Sequence, residues 1–239
     1  MARSLIVLAL LLSGSAFGDP WPLFEAARDG KVEKVRELLQ GGAPVDELFC
    51  GMTPLQAAVT ADQAGTTAVL LRYKPDLEVG SVEGKTVLME ATFRGNVEVV
   101  RLLLQAGARP NVRAKDGNTA LGYCALGNGS VPILRLLLQH GAEPNLGTFQ
   151  KAFPLHTAVL MTTPEFVGVL LDGKAKIDVA NKDGVTPLML AAAMGKGEMV
   201  DLLLGRGAAR DLQDGTGKTA LDYAREAGHE PIVKRLLQS

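Results

Sequence analysis

Aromatic side chains make up only 5% of this 239-residue sequence. That scarcity argues against a β-sandwich, whose strands draw on Tyr, Phe, Thr and Ile, and favours helices packed by small and aliphatic residues. Excess positive charge is missing too: 25 Lys and Arg stand against 26 Asp and Glu, a net charge of −1. That balance does not suit a phosphate backbone or an anionic membrane surface, so nucleic acid is not expected as a partner. Histidine is confined to His140, His156 and His229, with no pair at the i, i+4 spacing of a zinc-binding helix and no Cys/His cluster, so no metal site is expected. Past residue 20 no apolar run is long and uninterrupted enough to span a bilayer, and membrane insertion of the mature chain is not expected. What is plentiful is Leu, Ala and Val. With 47% apolar and 21% charged residues, the chain has the balance of a globular protein and not of a disordered one.

The first twenty residues have a character of their own. Met1-Ala2-Arg3-Ser4 precedes an apolar run from Leu5 to Leu12, then small residues through Ala16 and Gly18, then Asp19-Pro20. One positive charge, a short apolar core and small residues before a cut after Gly18 form the tripartite pattern of a secretory signal peptide. A run this short does not cross a bilayer, and Asp19-Pro20 would break a helix continuing from it. The expected organisation is therefore a signal at 1–18 and a mature, exported domain at 19–239, with no Cys after the cut to carry a lipid anchor. The two cysteines, Cys50 and Cys124, are expected to remain free thiols. The repeat register below sets them about two repeats apart, roughly 20 Å at 8–10 Å per helix layer, whereas a disulfide needs Cα atoms within about 7 Å.

Self-similarity decides the fold. Thr53-Pro54-Leu55, Thr86-Val87-Leu88, Thr119-Ala120-Leu121, Phe153-Pro154-Leu155, Thr186-Pro187-Leu188 and Thr219-Ala220-Leu221 follow one another at 33 or 34 residues, and a degenerate Trp21-Pro22-Leu23 precedes them. In each copy Thr is placed to cap a first helix whose next residue, often Pro, is tolerated in the first turn. An Ala-rich stretch then lets that helix approach its neighbours closely. After a Gly near the tenth position (Gly30, Gly95, Gly195, Gly228), a Val/Leu-rich stretch such as Val99 to Leu104 supplies the apolar face of a second helix. Gly107, Gly141 and Gly207 are expected to end that helix in a left-handed conformation. One such unit cannot bury both faces alone, so stacking makes the core.

Asp183-Gly184-Val185-Thr186-Pro187-Leu188-Met189-Leu190-Ala191-Ala192 through Gly207-Ala208, with Pro154-Leu155-His156 one repeat earlier, resembles the ankyrin-repeat family from residue 21 to residue 239. The resemblance implies an all-α ankyrin-repeat solenoid of about seven repeats including caps, starting near 21, 53, 86, 119, 153, 186 and 219. It also implies a histidine at 156 that hydrogen-bonds between loops. Departures from the pattern are Asp62 and Lys74 where glycines belong, an extra residue around Gly127-Asn128-Gly129, and Phe153 in place of a capping Thr. The polar Arg225, Glu226, Lys234 and Arg235 suit a C-terminal cap.

No catalytic residue or cofactor is expected. Gly215-Thr216-Gly217-Lys218-Thr219 superficially resembles a phosphate-binding loop, but Leu212 stands where its first glycine belongs and no strand–loop–helix context surrounds it. Cys124 occupies the position of the packing residues Ala91, Ala158 and Ala191 and reads as a buried, inert thiol. Cys50 falls in a loop without a nearby base. Asn128-Gly129-Ser130 would be a glycosylation sequon only in a eukaryotic host.

The family resemblance implies that a partner binds the loop tips and the face of the first helices. In this register the helix ends present Phe93, Arg94, Leu126, Leu160, Met161 and Met194, and the loops add Phe49, Met52, Val82 and Phe149. These ten are the candidate partner-binding residues, an apolar stripe rimmed by charge. Small exported chains made only of such repeats resemble periplasmic ankyrin proteins of bacteria, some of them immunity or inhibitor proteins. The expected function is a monomeric, non-enzymatic, periplasmic binder that occludes a secreted hydrolase such as a cell-wall peptidase. The alternatives are a periplasmic scaffold for a stress-protective enzyme and an extracellular, host-directed effector.

Overall fold

The computed structural model describes residues 21–127 and 129–238; the expected signal at 1–18 and the Asn128 sequon lie outside the described residues. The chain divides into two compact units, Met1–Asp76 and Leu77–Ser239. The described part of the first holds α1 (Pro22–Arg28), α2 (Val32–Gln40), α3 (Pro54–Thr60) and α4 (Ala64–Leu71). The second holds α5 (Val87–Arg94), α6 (Val97–Gln105), α7 (Ala120–Leu126), α8 (Val131–Gln139), α9 (Pro154–Met161), α10 (Pro164–Asp172), α11 (Pro187–Ala193), α12 (Gly197–Gly205), α13 (Ala220–Glu226) and α14 (Glu230–Leu237). No strand is assigned among the described residues beyond an isolated antiparallel bridge between Phe49 and Met52.

Capping explains where the first helices start. The Thr53 hydroxyl accepts from the Gln56 backbone N–H at 3.1 Å while the Gln56 side chain accepts from the Thr53 N–H at 2.8 Å, a closed capping box. Thr86, Thr119, Thr186 and Thr219 accept in the same way from the third helical residue. Phe153 makes no side-chain cap bond. Its ring instead covers Gly147, where an added Cβ would lie 2.8 Å from the ring, and stands 5.9 Å from the His156 ring.

The second helices before the last stop at left-handed residues, and Gly107, Gly141 and Gly207 take φ of 96°, 82° and 86°. Asp62 and Lys74 adopt the same region at 62° and 53°, so the turn geometry persists without glycine. Such a residue costs on the order of 1 kcal/mol, which the surrounding bonds offset. The extra residue of the fourth repeat falls in the connection between α7 and α8 and leaves both helices intact.

Within the second unit α5, α7, α9, α11 and α13 pack in one row, α6, α8, α10, α12 and α14 in another, and each first helix lies on its own second helix. Ala91, Ala125, Ala158, Ala191 and Ala224 are buried in the first row, and Leu103, Leu137, Leu170, Leu203 and Leu236 in the second. In the first unit α1 packs on α2 and α3, and α4 on α2 and α3, around Leu55, Ala58 and Leu70. Each fully buried Leu contributes about 1.5–3 kcal/mol.

A second set of bonds ties successive loops. Within the first unit Asp46 accepts from the Asp76 N–H at 3.1 Å. Within the second, Glu78 accepts from Arg109 at 3.0 Å, Asn111 from Glu143 at 2.9 Å, Asn145 from Lys176 at 2.8 Å and Asp178 from Ala209 at 3.0 Å. Each loop satisfies a backbone donor of the next.

Candidate protein-binding surface

In the second unit the ends of the first helices expose apolar side chains at matching positions. Phe93, Leu126, Leu160 and Met194 are open to solvent with Met161, which is 63% exposed. Phe93 is steadied by an edge-on contact with Tyr123, centroids 6.3 Å apart. Tyr123 itself is buried; its hydroxyl donates to Asp116 at 3.1 Å, and the Lys85 ammonium stands 5.3 Å from its ring centroid. Burial first, then the Asp116 charge, holds this phenol well above its ordinary pKa. Val82, Glu83, Lys85, Lys115, Asp116 and Tyr123 line an open groove of about 470 Å³ between the tips of the third and fourth repeats. Arg94 is held by an ion pair with Glu90 one turn earlier on α5.

The tip of the fifth repeat presents Phe149, 67% exposed. Arg113 lies 5.9 Å from the Phe149 centroid and donates to the Gly147 carbonyl at 2.8 Å, so it supports both ring and loop. The preceding tip closes on this loop through Gly117, at φ 85°, where a Cβ would come within 2.7 Å of the Phe149 nitrogen. Glycine is required there for both reasons.

α9 ends without a left-handed residue: Thr162 is extended, and its hydroxyl donates to the Ala158 carbonyl at 2.8 Å. Lys196 reaches over from the sixth repeat and donates to the carbonyls of Val159 at 2.9 Å and Leu160 at 2.6 Å. A cation at a helix C-terminus also meets the negative end of the backbone dipole. Leu160 and Met161 are therefore displayed on a helix end that a neighbouring repeat holds in place. Sequence reasoning named the two apolar residues and missed Lys196 and Arg113, whose roles appear only across repeats.

In the first unit Phe49 is half-buried. Its ring lies 4.3 Å from Trp21 and 4.9 Å from Phe24 between centroids, and its backbone exchanges bonds of 2.9 and 3.0 Å with Met52, also half-buried. Phe49 thus packs from a hairpin against Trp21 and α1, and the open apolar residue on that loop is Leu48.

The other groups singled out in sequence have structural occupations. The His156 Nε2–H donates to the Val185 carbonyl at 2.9 Å, and burial lowers the pKa of the ring. His229 Nε2 lies 3.1 Å from the Ala193 carbonyl and His140 Nδ1 lies 2.9 Å from that of Leu136. Cys124 is buried, which pushes its thiol up to about 12, and Cys50 is exposed at φ 52°. The loop Gly215 to Lys218 wraps around the carboxylate of Asp214, which accepts from the N–H groups of Thr216 and Lys218 at 2.8 and 2.9 Å and from the Tyr223 hydroxyl at 2.7 Å. Those bonds, Tyr223 foremost, hold Asp214 far below the ordinary carboxylate range. An anion of the chain's own already occupies the amides that a phosphate would need.

The sequence model of the family described as ankyrin repeats in three copies matches residues 23–114, 67–148 and 155–239. Human ankyrin repeat and SOCS box protein 3 is 33% identical over 177 residues, which cover 72% of this chain and 34% of that protein. A putative ankyrin repeat-containing protein of Treponema pallidum (strain Nichols) is 38% identical over 106 residues, 43% of this chain and 35% of that one. Rat ankyrin repeat and SAM domain-containing protein 6 is 36% identical over 101 residues, 41% of this chain and 11% of that one. The chain spans about a third or less of the length of these relatives. Among solved structures, the ankyrin repeat domain of Bcl-3 superposes with a TM-score of 0.80 at 24% identity, covering 91% of this chain and 99% of that domain, a likeness of fold.

Proposed function

The chain belongs to the ankyrin-repeat family, whose repeats mediate protein–protein interaction, and from that premise we propose that it is an exported, non-enzymatic binder that occludes a periplasmic or secreted hydrolase such as a cell-wall peptidase. The observation that carries the binding role is the row of exposed apolar residues at matching helix ends in the second unit: Phe93, Leu126, Leu160, Met161 and Met194. Water-exposed apolar side chains repeated in register gain by being covered, and residues fixed on short packed helices lose little entropy when they dock. Phe149, held by Arg113, supplies an aromatic projection of the kind that fills a cleft. The export signal read at residues 1–18 supports the location, and location with fold supports the inhibitory role.

Affinity capture from a periplasmic extract with the mature protein tests this, using Phe93→Asp with Met161→Asp as control. The expected outcome is a captured hydrolase whose activity falls at one-to-one stoichiometry, and loss of capture in the double variant. Because Met161 is mostly in water and Phe93 is half exposed with one edge-on contact to Tyr123, the variant should unfold within a few degrees of the parent, about 1 kcal/mol. A captured enzyme whose activity is unchanged or raised would identify a scaffold instead. Retention in the cytoplasm on fractionation would refute the exported role.

A further inference from the structure

The charges around this face are unevenly neutralised. On the third repeat Lys85 pairs with Glu83 and Arg94 with Glu90, and on the seventh Lys218 pairs with Glu226. Between them α7, α9 and α11 carry no Asp, Glu, Lys or Arg at all. The loop tips beside those three helices present Lys115, Lys151 and Lys182, all exposed, and no ion pair to them is found among the described residues. Lys196 also lacks a carboxylate, resting on two carbonyls, and Arg113 is spent on Phe149 and Gly147. Facing acids are fewer. Asp116 is engaged by Asn118 and Tyr123, and Asp183 is exposed. On the opposite edge, the first turns of α10 and α12 carry Glu165 and Glu198. The face is thus an uncharged floor with a cationic edge at the tips and, at the helix turns, an edge where Glu165 and Glu198 stand beside Lys196, whose ammonium is bound to two carbonyls.

Resting on the binding role above, we propose that this face receives a protein segment combining apolar side chains with carboxylates, the apolar residues lying on α7, α9 and α11 and the carboxylates against Lys115, Lys151 and Lys182. Cations without partners on a rim raise the association rate of an acidic ligand and repel a basic one, whereas the apolar floor sets how long it stays. The uneven charge across the face also favours one direction, since a segment turned end for end would exchange three exposed lysines for an edge carrying Glu165 and Glu198 beside the carbonyl-bound Lys196.

Two fluorescent peptides with the same Leu and Phe positions, one with Glu and one with Lys between them, provide the probe. Anisotropy titration of the mature protein is expected to show the Glu peptide binding at least about tenfold tighter at low ionic strength, the preference shrinking as salt screens it. A Lys115→Glu, Lys151→Asp, Lys182→Glu variant should reverse the preference; Asp is chosen at 151 because that residue sits at φ 55°. Circular dichroism should show all variants equally folded. Equal binding of both peptides, lost in Met161→Asp, would refute the charge inference and leave the docking face standing. Binding of neither peptide, together with undiminished partner capture by Met161→Asp, would overturn both. Concentration-dependent dimerisation in sedimentation that Met161→Asp abolishes would refute it as well, by making a second copy the occupant.

Discussion

Thr66 and Thr67 are adjacent on α4, both fully buried, and opposite in hydrogen bonding. The Thr66 hydroxyl donates to the Ala27 carbonyl of the preceding repeat at 2.9 Å, whereas the Thr67 hydroxyl has no partner. At the register position of Thr67 four of the five later repeats place Val100, Val167, Val200 and Val233, and the other places Leu134. Val matches Thr in shape and keeps the β-branch, so each substitution changes little but the hydroxyl. A buried hydroxyl without a partner costs about 1–3 kcal/mol, and a satisfied one contributes about 1 kcal/mol. Thr67→Val should therefore stabilise the first unit by about 1 kcal/mol and Thr66→Val should destabilise it by about as much. The single Trp of the chain, Trp21, stacks on Phe49 in that unit, so its fluorescence during urea unfolding reports there. At a slope of about 1–3 kcal/mol per molar urea, the two midpoints should separate by roughly 1 M with unchanged slope. A midpoint for Thr67→Val at or below that of the parent would refute the assignment of an unsatisfied hydroxyl.

Three further expectations follow from bonds described above. Burial holds His156 neutral with a lowered pKa, so the unfolded chain takes up that proton first; its stabilising contribution is complete above about pH 6.5 and declines as pH falls below it. Urea midpoints measured on either side of that pH should show an acid loss that His156→Gln reduces, and an identical loss in the variant would exclude His156 as a source. Removing the Lys196 ammonium with Lys196→Met should cost about 1–2 kcal/mol and increase amide exchange at the end of α9, whereas unchanged exchange there would mean Thr162 alone ends the helix. Titration with an aromatic disulfide reagent should detect one thiol, Cys50, in the native protein and both in denaturant; rapid native reaction of Cys124 would contradict its burial.

The helix starts were legible because capping is a local matter: a Thr followed by Pro or Val needs only its own first turn. So was the bond of His156, which the family resemblance implied; Asp62 and Lys74 read only as departures from the glycine pattern, and their left-handed conformation is seen in the structure. Contacts made by long side chains across repeats were not legible. Lys196 acts 36 residues back along the chain and Arg113 acts on the loop 34 residues ahead, and both interrupt the periodicity that makes the rest readable. The packing of Phe49 was hidden for a related reason: only the degenerate first copy places Trp21 and Phe24 against it.

The dependence of α9 on Lys196 bears on how such a chain can be recombined. A repeat that ends its own helices can be moved, duplicated or exchanged as a single cassette. The fifth cannot, because its first helix has neither a Thr hydroxyl at its start nor a left-handed residue at its end, and a residue of the sixth binds its last carbonyls. The fifth and sixth repeats therefore work as one unit. A crossover between them would separate Leu160 and Met161 from the cation that keeps their helix end wound, even with every repeat boundary kept in frame.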